Sequence, residues 1–210
     1  MMKRWVMICL AWLGLAVAGV PGQEAGEDLN FHPESERDNF RNDGDVAEIF
    51  RALNEGDPER AQLLVDEALA QHPTSGLYLF TETYVMLDRG DEHSAIARLE
   101  ELHKDYPGNY RVLNNLAWLL TTARDPGDRA PERALKYIQD ALLQGANNYH
   151  VWSTLAQVHY ELGNYERAER AAREAYRLAV EGKAPSEIQA RYIQQVDQAQ
   201  IARDVFELMD

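Results

Sequence analysis

From residue 43 onward the chain repeats itself every 34 residues, and that period dictates its architecture. Gly56-Asp57 recurs as Gly90-Asp91, Ala61 as Ala95, Pro73 as Pro107 and Leu79 as Leu113, each 34 residues later. The next interval is longer, since Leu116 recurs as Leu155 after 39 residues. The five extra residues fall between Leu120 and Ala134, where Asp125-Pro126-Gly127-Asp128 reads as a loop. Pro131 suits the first turn of the helix that follows, where its missing N–H costs nothing. The period then resumes, with Ala134 and Ala168 again 34 apart.

Inside each unit the apolar spacing is helical. Trp152, Leu155, Ala156 and His159 recur at steps of three and four, and the spacing places Trp152 in the core. Gly163-Asn164 interrupts the pattern, because glycine accepts the positive φ that ends a helix. Ala168, Ala172 and Ala175 then mark the inner face of a second helix, small enough for close approach. Each unit is therefore read as helix, tight turn, helix. After Pro185 one more helix is expected. Ser186-Glu187-Ile188-Gln189 has the form of a capping box, and Ile188, Tyr192, Val196, Ala199, Ala202 and Phe206 trace one stripe. Such a helix would cover the last open face of the stack; pairing with a second copy is the alternative.

This pattern resembles the tetratricopeptide repeat, whose units carry W-x2-L-G-x2-Y and later A, aromatic, A and P positions. The fourth unit carries it at Trp152, Leu155, Tyr165, Ala168 and Ala175. The third carries it at Leu113, Leu116, Ala117, Ala134, Ile138 and Ala141, in a run similar to bacterial members. The second does so at Leu79, Gly90, Ala95, Leu99 and Pro107, and the first, more faintly, at Gly56, Asp57, Ala61, Ala68 and Pro73. The resemblance implies an all-α, right-handed solenoid of four repeats, at about 43–75, 76–109, 110–148 and 149–182, with a capping helix over 185–208.

It also implies a concave groove lined by the first helix of each repeat, which takes a peptide or a partner's helix. By register the groove positions fall near Val46, Phe50 and Leu53, then Leu77, Phe80, Tyr84 and Leu87. They continue at Arg111, Asn114, Trp118 and Thr121, then His150, Ser153, Gln157 and Tyr160. The contact residues expected from this set are Phe50, Phe80, Tyr84, Arg111, Asn114, Trp118, Gln157 and Tyr160, with Trp118 foremost. Phe50, Phe80 and Tyr84 could equally face the core. Some relatives hold the acidic carboxyl terminus of chaperones with a basic clamp. Val46 and Phe50 stand where that clamp would begin, so this ligand class is not expected.

The first residues read as an export signal. Lys3 and Arg4 precede an uncharged run from Trp5 to Val20, with small residues at Ala16-Val17-Ala18. The run has 16 residues, short of the roughly 20 that cross a bilayer as a helix. An exported protein, periplasmic or secreted, is expected, with membrane attachment only if the segment stays uncleaved. Cleavage after residue 22 would move the formal charge from −14 to −16 and remove Cys9, the only cysteine. Residues 23–42 read as an acidic leader.

The charge opposes nucleic-acid and anionic-lipid partners. No cofactor, metal or catalytic set is expected. The six histidines form no H-E-x-x-H pattern, no phosphate loop or nucleophile elbow is present, and Asp125 with Asp128 falls short of a calcium loop. The expected function is a non-catalytic scaffold that binds another protein or peptide. The alternative is a structural subunit of a cell-envelope assembly, using the convex face or the termini.

Overall fold

The computed structural model of the protein describes residues 43–209. The expected export signal and the expected acidic leader lie outside the described residues. The chain divides after Pro107 into two compact units. Among the described residues all regular structure is helical: α1 Gly44–Glu55, α2 Pro58–Gln71, α3 Gly76–Asp88, α4 Glu92–Asp105, α5 Tyr110–Thr122, α6 Pro131–Gly145, α7 Tyr149–Glu161, α8 Tyr165–Glu181 and α9 Ser186–Glu207. The all-α repeat architecture is thus present, built from helical hairpins α1–α2, α3–α4, α5–α6 and α7–α8, with α9 after the last.

Local chemistry sets the helix ends. The Asp43 carboxylate accepts from the backbone N–H groups of Asp45 and Val46, 3.0 Å each; the Asn109 amide oxygen accepts from those of Arg111 and Val112 at the start of α5, and that of Asn148 from His150 at the start of α7. Pro58 and Pro131 sit in the first turns of α2 and α6. Gly56, Gly90 and Gly163 have φ of 76°, 82° and 73° in three of the four hairpin turns. A side chain at such φ strains the backbone, so Gly163→Ala should lower the melting temperature, reflecting a loss of about 1–2 kcal/mol. Thermal unfolding followed by circular dichroism measures it; an unchanged midpoint would remove the conformational reason for glycine there. The third hairpin has no such glycine. Its insertion forms a 3₁₀ turn at Pro126–Asp128, and the Ala130 N–H donates to the Leu120 carbonyl at 2.7 Å.

In the first unit, residues 43–107, Ile49, Phe80, Val85 and Leu99 are buried between α1–α2 and α3–α4. The buried hydroxyls of Thr81 and Thr83 donate to the carbonyls of Leu77 and Phe80, so no polar atom of theirs is left unmatched. Glu82 on α3 and Arg98 on α4 form an ion pair at 2.9 Å. Burial raises the Glu82 carboxyl above its ordinary range, and the guanidinium offsets only part of that.

In the second unit, residues 108–209, Ala168, Ala172, Ala175 and Ala179 form the buried stripe of α8. The close approach they allow brings α7 against α8, and Leu155, Ala156 and His159 of α7 are buried. Trp152 is only half buried, which corrects its assignment to the core. Its indole N–H donates instead to the Ala146 carbonyl at 2.7 Å, holding the ring at the end of α6. The capping box at the start of α9 is also corrected. Pro185 precedes the helix with no side-chain cap, and the Gln189 amide donates to the Ala184 carbonyl at 2.7 Å. Glu169 on α8 is buried between two guanidiniums, Arg173 at 2.6 Å and Arg203 of α9, so a charge pair ties α9 to α8. Ala202 is half buried and Phe206 largely exposed, so the inward stripe of α9 is complete only from Ile188 to Ala199.

Candidate protein-binding site

The eight expected contact residues separate by unit. Phe50, Phe80 and Tyr84 belong to the first and are buried. Phe50 and Phe80 each meet Tyr84 edge-to-face, with centroids 5.4 and 5.5 Å apart. Two readings of these rings were open, and the structure assigns them to the core. The physical reason is their neighbours: Val46, Leu53 and Leu77 are buried with them, and burial of adjoining apolar side chains outweighs exposing any one.

The other five belong to the second unit, on α5 and α7, which pack against each other. The Asn109 cap starts α5 so that Arg111, Asn114 and Trp118 follow at steps of three and four on one side. Trp118 is half buried, with part of its indole open to solvent. Arg111 is half buried, its guanidinium 5.4 Å from the centre of the Tyr110 ring. Asn114 is buried. Its amide reaches Asn115 Oδ1 at 3.5 Å, and its own Oδ1 has no hydrogen-bond partner among the described residues. On α7, Gln157 is half exposed and donates to Glu161 Oε1 at 3.0 Å. Tyr160 is 36% exposed and meets Tyr165 edge-to-face at 5.4 Å.

His150 and Ser153, the other register positions on α7, are covered by α9. The Tyr192 hydroxyl and His150 Nδ1 are hydrogen-bonded at 2.9 Å. Ser153 Oγ donates to Gln195 Oε1, and Gln195 Nε2 returns a bond to the Ser153 carbonyl, both at 2.9 Å. Periodicity carries no signal for this. It fixes which side of one helix is apolar, not which later helix settles against it. The cover narrows the open face of α7 to its second half.

Burial first, and then the charges of Arg191 and Arg111, push the His150 imidazole down to about 3. His159 is lowered by burial, with Arg167 and Arg170 adding to it. Both rings are therefore neutral at pH 7. Among the described residues no group of three or more His, Cys, Asp or Glu is placed to hold a metal ion. The open part of α5 and α7 instead offers an indole edge, a phenol, a guanidinium and an amide. Side-chain types of this kind carry stacking and hydrogen-bonding contacts at protein interfaces.

Residues 149–179, the α7–α8 hairpin, match the family model of the tetratricopeptide repeat. The fold is similar to that of MamA from Desulfovibrio magneticus RS-1, residue 41 to its end. That match has 13% identity, covers 77% of this chain and 94% of that one, and has a TM-score of 0.54. It is also similar to the crystal structure of a thermophilic tetratricopeptide-repeat protein of Thermus thermophilus. There the identity is 19%, the cover 75% of this chain and 86% of the other, and the TM-score 0.58. No curated protein matches the sequence. At such identities the likeness is one of fold. The sequence match covers the one hairpin α7–α8, and the solved structures share with this chain a fold of stacked helical hairpins.

Proposed function

We propose that the protein is a non-catalytic scaffold that holds an extended peptide, or a segment of a partner protein, against the open face of α5 and α7. The observation that carries this is Trp118, a large ring kept half exposed in the middle of α5. The part of an indole left in water costs free energy until a partner covers it, and tryptophan and arginine supply much of the energy at interfaces. Arg111, Gln157 and Tyr160 supply the polar and aromatic contacts around it. Lys3, Arg4 and the apolar run after them support export, and hence partners in the bacterial envelope or outside the cell.

The test is crosslinking capture from the native envelope fraction with wild type and Trp118→Ala. Truncating a central aromatic anchor costs about 2 kcal/mol or more, roughly thirtyfold in affinity. A prey captured by wild type and lost by the variant is the expected result. A prey held equally by both removes the face of α5 as the binding site.

A further inference from the structure

The helix α9 carries two opposed apolar faces. Ile188, Tyr192, Val196 and Ala199 are buried, and α9 packs on α8 and α7. Ile193, Ile201, Val205 and Leu208 are 43%, 63%, 52% and 87% exposed. With 3.6 residues per turn, these aliphatics fall within about 120° of circumference, roughly opposite the buried set. Terminal helices of repeat stacks ordinarily turn a polar side outward. Four exposed aliphatics on that side, interspersed with Asp197 and Asp204, mark an interaction surface.

The fold indicates what covers it. His150 pairs with Tyr192 and Ser153 with Gln195, so α9 lies beside α7 and runs in the same direction. The first helices α5 and α7 each pack against a second helix of their own, α6 and α8. α9 continues that row, and among the described residues no second helix packs on it. The open stripe is therefore the continuation of an interface that helices already fill twice in this unit.

The charges around the stripe choose among helices. Asp197 and Asp204 lie between the aliphatics, with Glu187 and Glu207 near the two ends, all exposed. Glu187 and Asp197 have no cation partner among the described residues, while Asp204 and Glu207 share Arg203, at 2.8 and 3.9 Å. A second copy would bring the same acids face to face, and an anionic lipid surface would be repelled likewise. We infer that the outer face of α9 docks an amphipathic helix of a partner protein, one whose aliphatic stripe is flanked by lysine or arginine. This site is separate from the face of α5 and α7 and stands whether or not that face binds a peptide.

The test titrates two synthetic helices of about 18 residues, five turns to match the stripe. Both carry a leucine stripe, one with lysine flanks and one with glutamate flanks. Fluorescence anisotropy follows each against wild type, Ile201→Ser/Val205→Ser and Trp118→Ala. Ile201 and Val205 are exposed and Trp118 is half buried, so circular dichroism should show all three proteins folded. The lysine helix should bind wild type at least ~10-fold more tightly than the glutamate helix, the apolar stripe and the acids acting together. The serine double variant should lose at least ~10-fold, the share of two buried aliphatic contacts, and Trp118→Ala should bind as wild type does. Undiminished binding by the serine variant would mean charge-driven sticking alone and overturn the inference. So would failure of the lysine helix to bind, loss of its binding in Trp118→Ala, or concentration-dependent dimerisation that the serine variant abolishes.

Discussion

Tyr192→Ala should destabilise residues 108–209 by about 3–5 kcal/mol, the range for removing a fully buried aromatic side chain. Tyr192 is 0% exposed in the second unit, and its hydroxyl is the partner of His150 Nδ1. Truncation therefore opens a cavity beneath α9 and strips a buried ring of a hydrogen bond. Tyr192→Phe keeps the ring and should cost only about 1 kcal/mol. Trp118 and Trp152 are the only tryptophans in residues 23–210, and both lie in this unit. Urea unfolding of that segment, followed by tryptophan fluorescence, therefore reads the loss where it occurs. A midpoint for Tyr192→Ala close to that of Tyr192→Phe would mean that α9 is not an integral part of the unit.

The second large effect is one of pH. The His150 imidazole has a folded-state pKa of about 3 against an ordinary 6.5, because burial and then Arg191 and Arg111 oppose its charged form. The folded unit therefore refuses a proton that the unfolded chain accepts below pH 6.5. Stability is retained above that value and falls on acidification, with a slope approaching about 1.4 kcal/mol per pH unit, until the folded pKa is reached. Between pH 7 and pH 4.5 the loss from this one ring is about 2–3 kcal/mol. His159 shifts in the same sense, and the raised carboxyl of Glu82 in the other unit shifts in the opposite one. The quantity to compare is therefore the slope of wild type against that of His150→Gln, over pH 7 to 4.5, by tryptophan-detected urea unfolding. The variant should show a slope shallower by most of the His150 share. Parallel slopes would mean that His150 is hydrated and free to titrate.

The two effects meet at one contact that the primary structure does not announce. The hairpins could be read from Gly56, Gly90 and Gly163, from the alanines of α8 and from the 34-residue interval, because each is a local requirement of a turn or a close approach. Pro131 likewise marked the start of α6. Burial around the helix was harder to read. On a first helix the core side and the groove side adjoin, and Phe50, Phe80 and Tyr84 are apolar enough for either. Only the apolar neighbours assembled around them decide. Trp152 went the other way, since its N–H needed an acceptor and found the Ala146 carbonyl at the helix end. The His150–Tyr192 and Ser153–Gln195 pairs join residues 42 apart. No periodic rule links them, so register alone leaves both α7 residues in the open groove. Ser186, legible as a helix cap, lost that place to Pro185, whose fixed φ already sets the entry into α9.

The most direct test of the scaffold reading is hydrogen–deuterium exchange on the second unit, with and without the captured partner. Added protection is expected along α5 and the second half of α7, near Trp118, Gln157 and Tyr160, and reduced in Trp118→Ala. Protection confined to other surfaces, with α5 and α7 exchanging as in the free protein, would contradict it.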